Sequence, residues 1–454
     1  MSLSRRGFVS LLGGLALPAL PALGALRTPY GGALRLPLPA PRAVLDPMRA
    51  TDLADLWPLA LTHAGLITAH PEGGWSYPLL DGPPRREGAV YALRLREGVT
   101  ASNGAEVDAA AVIRCWSAAR ETPAGRLALA LLAPMSPFQA RGEREILVRP
   151  DVPGGLEDFL AAPALAVTVP HAGGRAGVGP FAPLAGSPNS LQRNAFCPSG
   201  GAFLERVELV PAQPRNDELR AFTTGALDAS WWGAGLYSVQ REATRLTGAP
   251  AAAVGLVPTA GGPFAAAAVA RALEAALAPL TAGDAPLRPF PAAPTRAQGS
   301  AALLAAVSAR GGALRVGAPR GDAVLAALAE RVVALLDAVR VRVMLVAPDE
   351  SPDLTLRAVA PMGRDAWMAL ASLLAASAGT GGDEAGASAI ARTPTARRAA
   401  VATGVWSRSV IAALGRLTPS LHLRAGVRGA RFEGAQLRLG DAWVSASATP
   451  AQGR

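Results

Sequence analysis

Residues 91–119, YALRLREGVTASNGAEVDAAAVIRCWSAA, prescribe a strand, two turns and a helix in immediate succession, and no other stretch constrains the architecture so tightly. Tyr91, Leu93 and Leu95 alternate with Arg94 and Arg96, the period-2 pattern of a half-buried strand. Glu97-Gly98 and Asn103-Gly104 supply turns, because Gly and Asn tolerate the positive φ that such turns demand. Asp108 is placed to cap a helix whose inner face carries Val112, Cys115, Trp116 and Ala119 at i, i+3, i+4 and i+7.

The ends and the composition narrow the class. Ser4-Arg5-Arg6-Gly7-Phe8-Val9 is a twin-arginine pattern, followed by an uncharged apolar run to residue 26 that contains Gly13, Gly14, Pro18 and Pro21. Residues 1–26 therefore read as a cleavable twin-arginine (Tat) export signal, with an uncleaved anchoring helix as the other reading; the run is barely long enough to span a bilayer and prolines break it. Removing it takes away Arg5 and Arg6 and lowers the formal charge of +10 by two. With 454 residues, half of them hydrophobic, the chain can bury a large core divided among two or three domains. It contains no lysine, which excludes a P-loop lysine, a Schiff base and a pyridoxal-phosphate anchor. Basic residues occur in runs of at most two, so the arginines read as dispersed over solvated faces, and nucleic acid is not an expected partner. Cys115 and Cys197 sit in apolar settings and read as buried free thiols.

Further along, Leu34 and Leu36 open a strand, residues 51–69 read as a helix, and Asn216 is placed to cap a helix that Gly225 ends. Leu314 and Val316, a helix capped by Asp322, and a strand with Val341, Val343 and Leu345 on one face form a right-handed crossover between parallel strands. Residues 284–300 read as a Pro-rich linker, 378–388 as a flexible loop and 397–408 as a helix. Leu95, Arg96, Gly98, Val99, Asn103, Gly104, Val107, Ala110 and Val112 resemble the signature of family 5 extracellular solute-binding proteins, the peptide, nickel and opine receptors of ABC importers. Leu45-Asp46-Pro47, Gly177-Val178-Gly179-Pro180-Phe181, Leu191-Gln192-Arg193-Asn194 and Thr224-Gly225-Ala226-Leu227-Asp228 follow in the order that the resemblance requires, although Ala101, Ser102 and Ala111 depart from its pattern.

The resemblance implies an α/β, two-lobed periplasmic binding protein of type II with an extra insertion subdomain. Its lobes are joined by two crossovers, near residues 246–250 and 410–416, with the ligand held in the interlobe cleft. Lobe I would comprise 27–47, 166–247 and 412–454, the insertion subdomain 48–165, and lobe II 248–411. Aromatic residues are scarce, so Trp231, Trp232 and Tyr237 stand out as candidate cleft walls, with core packing open for one of the tryptophans. The resemblance implies that an aspartate from the region of Asp365 meets a ligand α-ammonium; a helix N-cap is the other reading of that residue. Trp367, Trp406 and Arg408 complete the candidate ligand-binding set, Arg408 as a carboxylate partner or as an exposed arginine.

His63, His70, His171 and His422 have no metal spacing, and no GxSxG, CxxC, HExxH or dinucleotide fingerprint occurs. The expectation is a binding protein without catalytic residues, metal or cofactor. It would be a monomer in the periplasm that delivers an oligopeptide or similar polar solute to an ABC permease. The alternatives are a diverged, non-transporting sensor or scaffold and, more remotely, an exported hydrolase.

Overall fold

The protein is seen in a computed structural model that describes residues 31–39, 45–70, 74–130, 132, 137–151, 155–171, 174–232, 243–282, 287–291, 300–319, 322–363, 365–380, 382–433 and 436–444. The export signal expected at 1–26, Tyr237 and most of the 284–300 linker lie outside the described residues. Among the described residues no helix is long and apolar enough to cross a membrane.

The first lobe is built on a four-stranded sheet in the order Ala33–Pro37, Arg206–Val210, Ser187–Arg193, Phe181–Leu184. Its first pair is parallel, with Leu34 opposite Val207 and Leu36 opposite Leu209, so both strands turn their leucine and valine faces to the same core. The second lobe is a six-stranded sheet in the order Leu287–Arg288, Ala412–Leu417, Ala252–Pro258, Leu354–Val359, Leu314–Gly317, Val343–Val346. All seven residues of Ala252–Pro258 are buried because both faces of the sheet are covered. Ala252, Val254 and Leu256 pack with helices Ala267–Ala276, Ala301–Ala309 and Ala323–Ala338; Ala253 and Val257 pack with helix Ala366–Ala376.

A third sheet, Arg85–Glu87, Val90–Arg94, Glu145–Val148 and Phe138–Arg141, is antiparallel throughout and carries helix Ala109–Ala119. Asp108 caps that helix by accepting the Ala111 N–H at 2.6 Å, and Val112, Cys115, Trp116 and Ala119 are buried. The core beneath it is continuous with helices Ala366–Ala376, Glu384–Arg392 and Thr395–Arg408 of the second lobe.

Two segments join the lobes side by side. The chain runs from Thr244–Thr247 in a three-stranded sheet to Ala252–Pro258, and returns from Ala412–Leu417 to Ser420–Leu423. Thr247 pairs with Ser420, Ala252 pairs with Leu417, and between them the Gly248 N–H donates to the Pro419 carbonyl at 2.9 Å. The crossovers thus form one antiparallel ribbon, with the return connection at 418–419 rather than within 410–416.

Several local expectations are revised. The helix expected over 51–69 stops at Thr62, where His63 takes an extended conformation. Asn216 lies inside helix Arg215–Thr224, whose N-cap position is Pro214, a residue that fixes φ and precedes a first turn rich in acid. Half of the loop expected at 378–388 is helical, because the Asp383 carboxylate accepts the Gly386 N–H and starts Glu384–Arg392. Leu345 is 45% exposed because Val343–Val346 is the edge strand of its sheet. The parallel pairing of Leu314–Gly317 with Val343–Val346 across helix Ala323–Ala338, capped by Asp322, is as expected.

Gly177 and Gly179 do not adopt positive φ; they are required by a close approach. A Cβ on Gly177 would lie 2.3 Å from the Thr62 carbonyl oxygen, and one on Gly179 would lie 2.4 Å from the Thr62 carbonyl carbon. Gly179→Ala is expected to lower stability by about 1–3 kcal/mol through overpacking, whereas Gly82→Ala, where a Cβ meets open space, leaves the urea midpoint unchanged.

Across the lobe junction Asp52 pairs with Arg357 at 2.7 Å, beside Asp55 and Asp322. Burial, reinforced by the neighbouring Asp52, pushes Asp55 up to about 6. Burial also pushes Asp322 up to about 7. Carboxyls raised in this way hold their protons more tightly when folded, so their contribution is complete below the ordinary carboxyl range and is lost as pH rises through about 6 to 7. Between about pH 8 and pH 6.5 the urea midpoint is expected to rise on acidification, and by less in Asp322→Asn; below that range the buried His63, held down to about 3, opposes the gain.

Candidate ligand-binding cleft

A cleft of about 490 Å³ opens at the ribbon, with walls from both lobes and from the third sheet's neighbourhood. Its back is the connecting segment Thr247–Ala251, where Gly248, Ala249 and Pro250 present little side-chain bulk. One wall is a hairpin in which Thr68–Ala69 pairs with Trp75–Ser76, and a 2.6 Å hydrogen bond between the Thr68 and Ser76 hydroxyls holds the two strands together. That pairing sets Trp75, half-buried, into the cleft beside His70.

A second wall is the hairpin Arg431–Glu433 with Gln436–Arg438, which alternates at period 2. Phe432 and Leu437 are buried opposite one another, while Glu433, Gln436 and Arg438 are half-buried and line the cleft. Arg438 Nε donates to Glu433 Oε2 at 2.9 Å, and Arg431 Nη2 donates to Glu433 Oε1 at 3.0 Å. With side chains 16% and 11% exposed, Arg438 and Glu433 form a largely desolvated pair that neutralises itself. The cleft therefore offers an aromatic wall, an amide, hydroxyls and a neutral ion pair, the mixture of apolar area and a few fixed polar groups typical of small-molecule sites. Among the described residues no group of His, Cys, Asp and Glu is arranged to hold a metal ion.

No protein-family profile and no curated protein sequence matches the chain. Solved structures do. The murein tripeptide binding protein MppA of Escherichia coli superposes with a TM-score of 0.73 at 14% identity, covering 92% of this chain and 98% of that one. OppA of Haemophilus influenzae, in complex with the peptide RPPGFSPFR, gives 0.73 at 11% identity, covering 92% and 100%. NikA of Staphylococcus aureus, in complex with Ni(L-His)2, gives 0.71 at 12% identity, covering 91% and 100%. The fold is that of a two-lobed periplasmic binding protein.

In this binding-protein fold the residues singled out from sequence take other positions. Trp231 is 7% exposed; its ring stacks on Trp57 with centroids 4.0 Å apart, and its Nε1–H donates to the Pro37 carbonyl at 2.6 Å. Trp232 is half-buried beneath the Arg215 guanidinium, 5.2 Å from the ring centre. Asp365 caps helix Ala366–Ala376 by accepting the Trp367 N–H at 2.9 Å, and its other oxygen pairs with Arg398 at 2.6 Å. Trp367 and Trp406 are buried in one aromatic cluster with Phe290, and Trp406 Nε1 donates to Glu274 at 2.7 Å. Arg408 is exposed at the end of its helix. None of these six lines the cleft.

Trp75, Glu433, Gln436 and Arg438 were not singled out. Trp75 carries a signal: with Tyr77 it is one of two aromatics in a Gly/Pro-rich stretch. The alternation of Arg431, Glu433 and Arg438 around Phe432 and Leu437 marks a hairpin, but nothing local tells which face meets a ligand.

Arg398 is 4% exposed and relies on Asp365 for its counter-charge. Asp365→Ala, which strands that guanidinium and removes the cap, is expected to cost about 3–5 kcal/mol in urea unfolding.

Proposed function

We propose that the protein is the extracytoplasmic substrate-binding component of an ABC importer, exported by its twin-arginine segment and working as a monomer. It captures a polar solute in the hinge cleft and presents it to a membrane permease. The observation that carries this reading is a cleft of about 490 Å³ whose walls come from both sides of a two-segment hinge. Closure about such a hinge buries the solute and makes affinity depend on the closed population. The volume lies in the range of small-molecule sites, which favours a short peptide or a solute of similar size over a long extended chain. The peptide-binding neighbours, MppA and OppA, support the same class.

A non-transporting sensor is the second reading. What favours it is that Glu433 spends both oxygens on Arg438 and Arg431, so the cleft's charges are already matched within the protein.

The test is a thermal-shift screen with di- and tripeptides, amino acids and sugars, followed by small-angle scattering with the best compound. Transport predicts a melting temperature that climbs with concentration by mass action and a radius of gyration that falls on closure. Trp75→Ala is expected to weaken the best compound's binding about tenfold, as loss of an aromatic contact worth about 1–1.5 kcal/mol implies, while Trp231→Phe leaves it unchanged. Silence across the whole library would count against a transport role.

A further inference from the structure

Arg438 is the only arginine among the described residues that line the cleft, and most of its hydrogen-bonding capacity is unspent. It stands on the hairpin face opposite the buried Phe432 and Leu437, together with Glu433 and Gln436, which also line the cleft. A guanidinium donates along a side edge that includes Nε–H and at an end fork formed by Nη1 and Nη2. Arg438 spends its side edge on Glu433, through Nε at 2.9 Å. Neither Nη atom donates to any of the described residues, and neither is among the polar atoms buried without a partner, so both are accessible.

Two other arginines show what such a residue does when both edges are used. Arg141 gives its Nε to Glu145 and its fork to Glu87, with Nη1 and Nη2 at 2.8 and 3.0 Å from the two carboxylate oxygens. Arg431 gives Nε and Nη2 to Glu433 and Nη1 to Asp441. In each case a second carboxylate joins the first, so Glu433 does not debar a further anion from Arg438. Glu433 holds Arg438 as Glu145 holds Arg141, yet no side chain among the described residues plays the part of Glu87.

Charge and shape select the class of partner. The fork matches a planar pair of oxygens, and a neutral carbonyl would forgo the charge assistance. With the Arg438 side chain 16% exposed, solvent screens such a contact less than it would at the surface. A phosphate dianion would set two negative charges beside Glu433 against one guanidinium, whereas a carboxylate adds one.

Resting on the solute-binding reading, we propose that the Arg438 fork, held in place by Glu433, anchors a carboxylate of the solute, so that the cleft selects acids over their amides.

The test treats the full chain with phenylglyoxal, which condenses with the Nη1/Nη2 edge of accessible guanidinium groups, and reads labelling arginine by arginine from peptide masses. N-acetylalanine is the carboxylate probe, N-acetylalaninamide the neutral one and inorganic phosphate the third, all at one ionic strength. Arg438 is expected to label in the free protein. N-acetylalanine should protect it at concentrations about tenfold below those its amide requires, as charge-assisted hydrogen bonds imply. An Arg438 that resists labelling without any probe, equal protection by acid and amide, or stronger protection by phosphate would each overturn the proposal. Arg438→Gln keeps a donor for Glu433, which also retains Arg431, and should erase the acid's advantage over the amide in raising the melting temperature. An advantage that survives the substitution would also overturn it. Solutes that bind and close the cleft without preferring the acid would refute this anchor alone. Protection of Arg438 without closure in scattering would instead refute the transport reading and support the anchor.

Discussion

Helix Leu53–Thr62 has almost no solvent face: eight of its ten residues are buried, and each part of it holds a different piece of the molecule. At its N-terminus Asp52 pairs with Arg357 of the second lobe and bridges to Val359, while the Asp55 carboxylate closes a capping box. In the middle Trp57 stacks on Trp231 and Leu56 reaches the cleft. At its C-terminus Thr62 and His63 are clamped by Gly177 and Gly179. A shift of this one helix would disturb the lobe junction, the first-lobe core and the cleft floor together, since close-packed interiors transmit displacement instead of absorbing it.

The cost of that role is visible in its electrostatics. Asp55 and Asp322 are held in surroundings that raise their proton affinity, and Arg357 is the cation that compensates Asp52 beside them. His63 is likewise buried without charge. Polar groups in such places are retained at a loss of stability unless their hydrogen bonds are complete. The carboxyls complete theirs at helix N-termini, whereas His63 Nε2 has no hydrogen-bond partner among the described residues.

The cleft owes its form to the ribbon behind it. Two antiparallel connectors, tied by the hydrogen bond from Gly248 to Pro419, restrict the lobes to bending about one line, in contrast to the freedom that a single connector would leave. Small residues in the connector leave room in front of it, and two short hairpins bring Trp75 and Arg438 to line that room. The aromatic wealth of the second lobe serves a different end. Phe290, Trp367 and Trp406 weld its helices to the core that the inserted sheet shares.

Periodicity and capping chemistry are local, so the sequence alone determined the elements that depend on them: the strand ending at Arg94, the helix that Asp108 starts, and the parallel pair around the helix that Asp322 starts. The resemblance of its ordered motifs to those of family 5 solute-binding proteins implied the two-lobed α/β fold. Its errors fell where one residue type has two local uses. Asp383 began a helix inside what composition marked as a loop, and Asp365 became a cap with a buried arginine for a partner. The cleft was decided only by tertiary structure. Its lining comes from segments as far apart as Thr68 and Arg438, and a tryptophan's scarcity does not reveal whether its ring meets solvent or another ring. Trp231 found Trp57, a contact between residues far apart in the chain, and no periodicity within either segment encodes it.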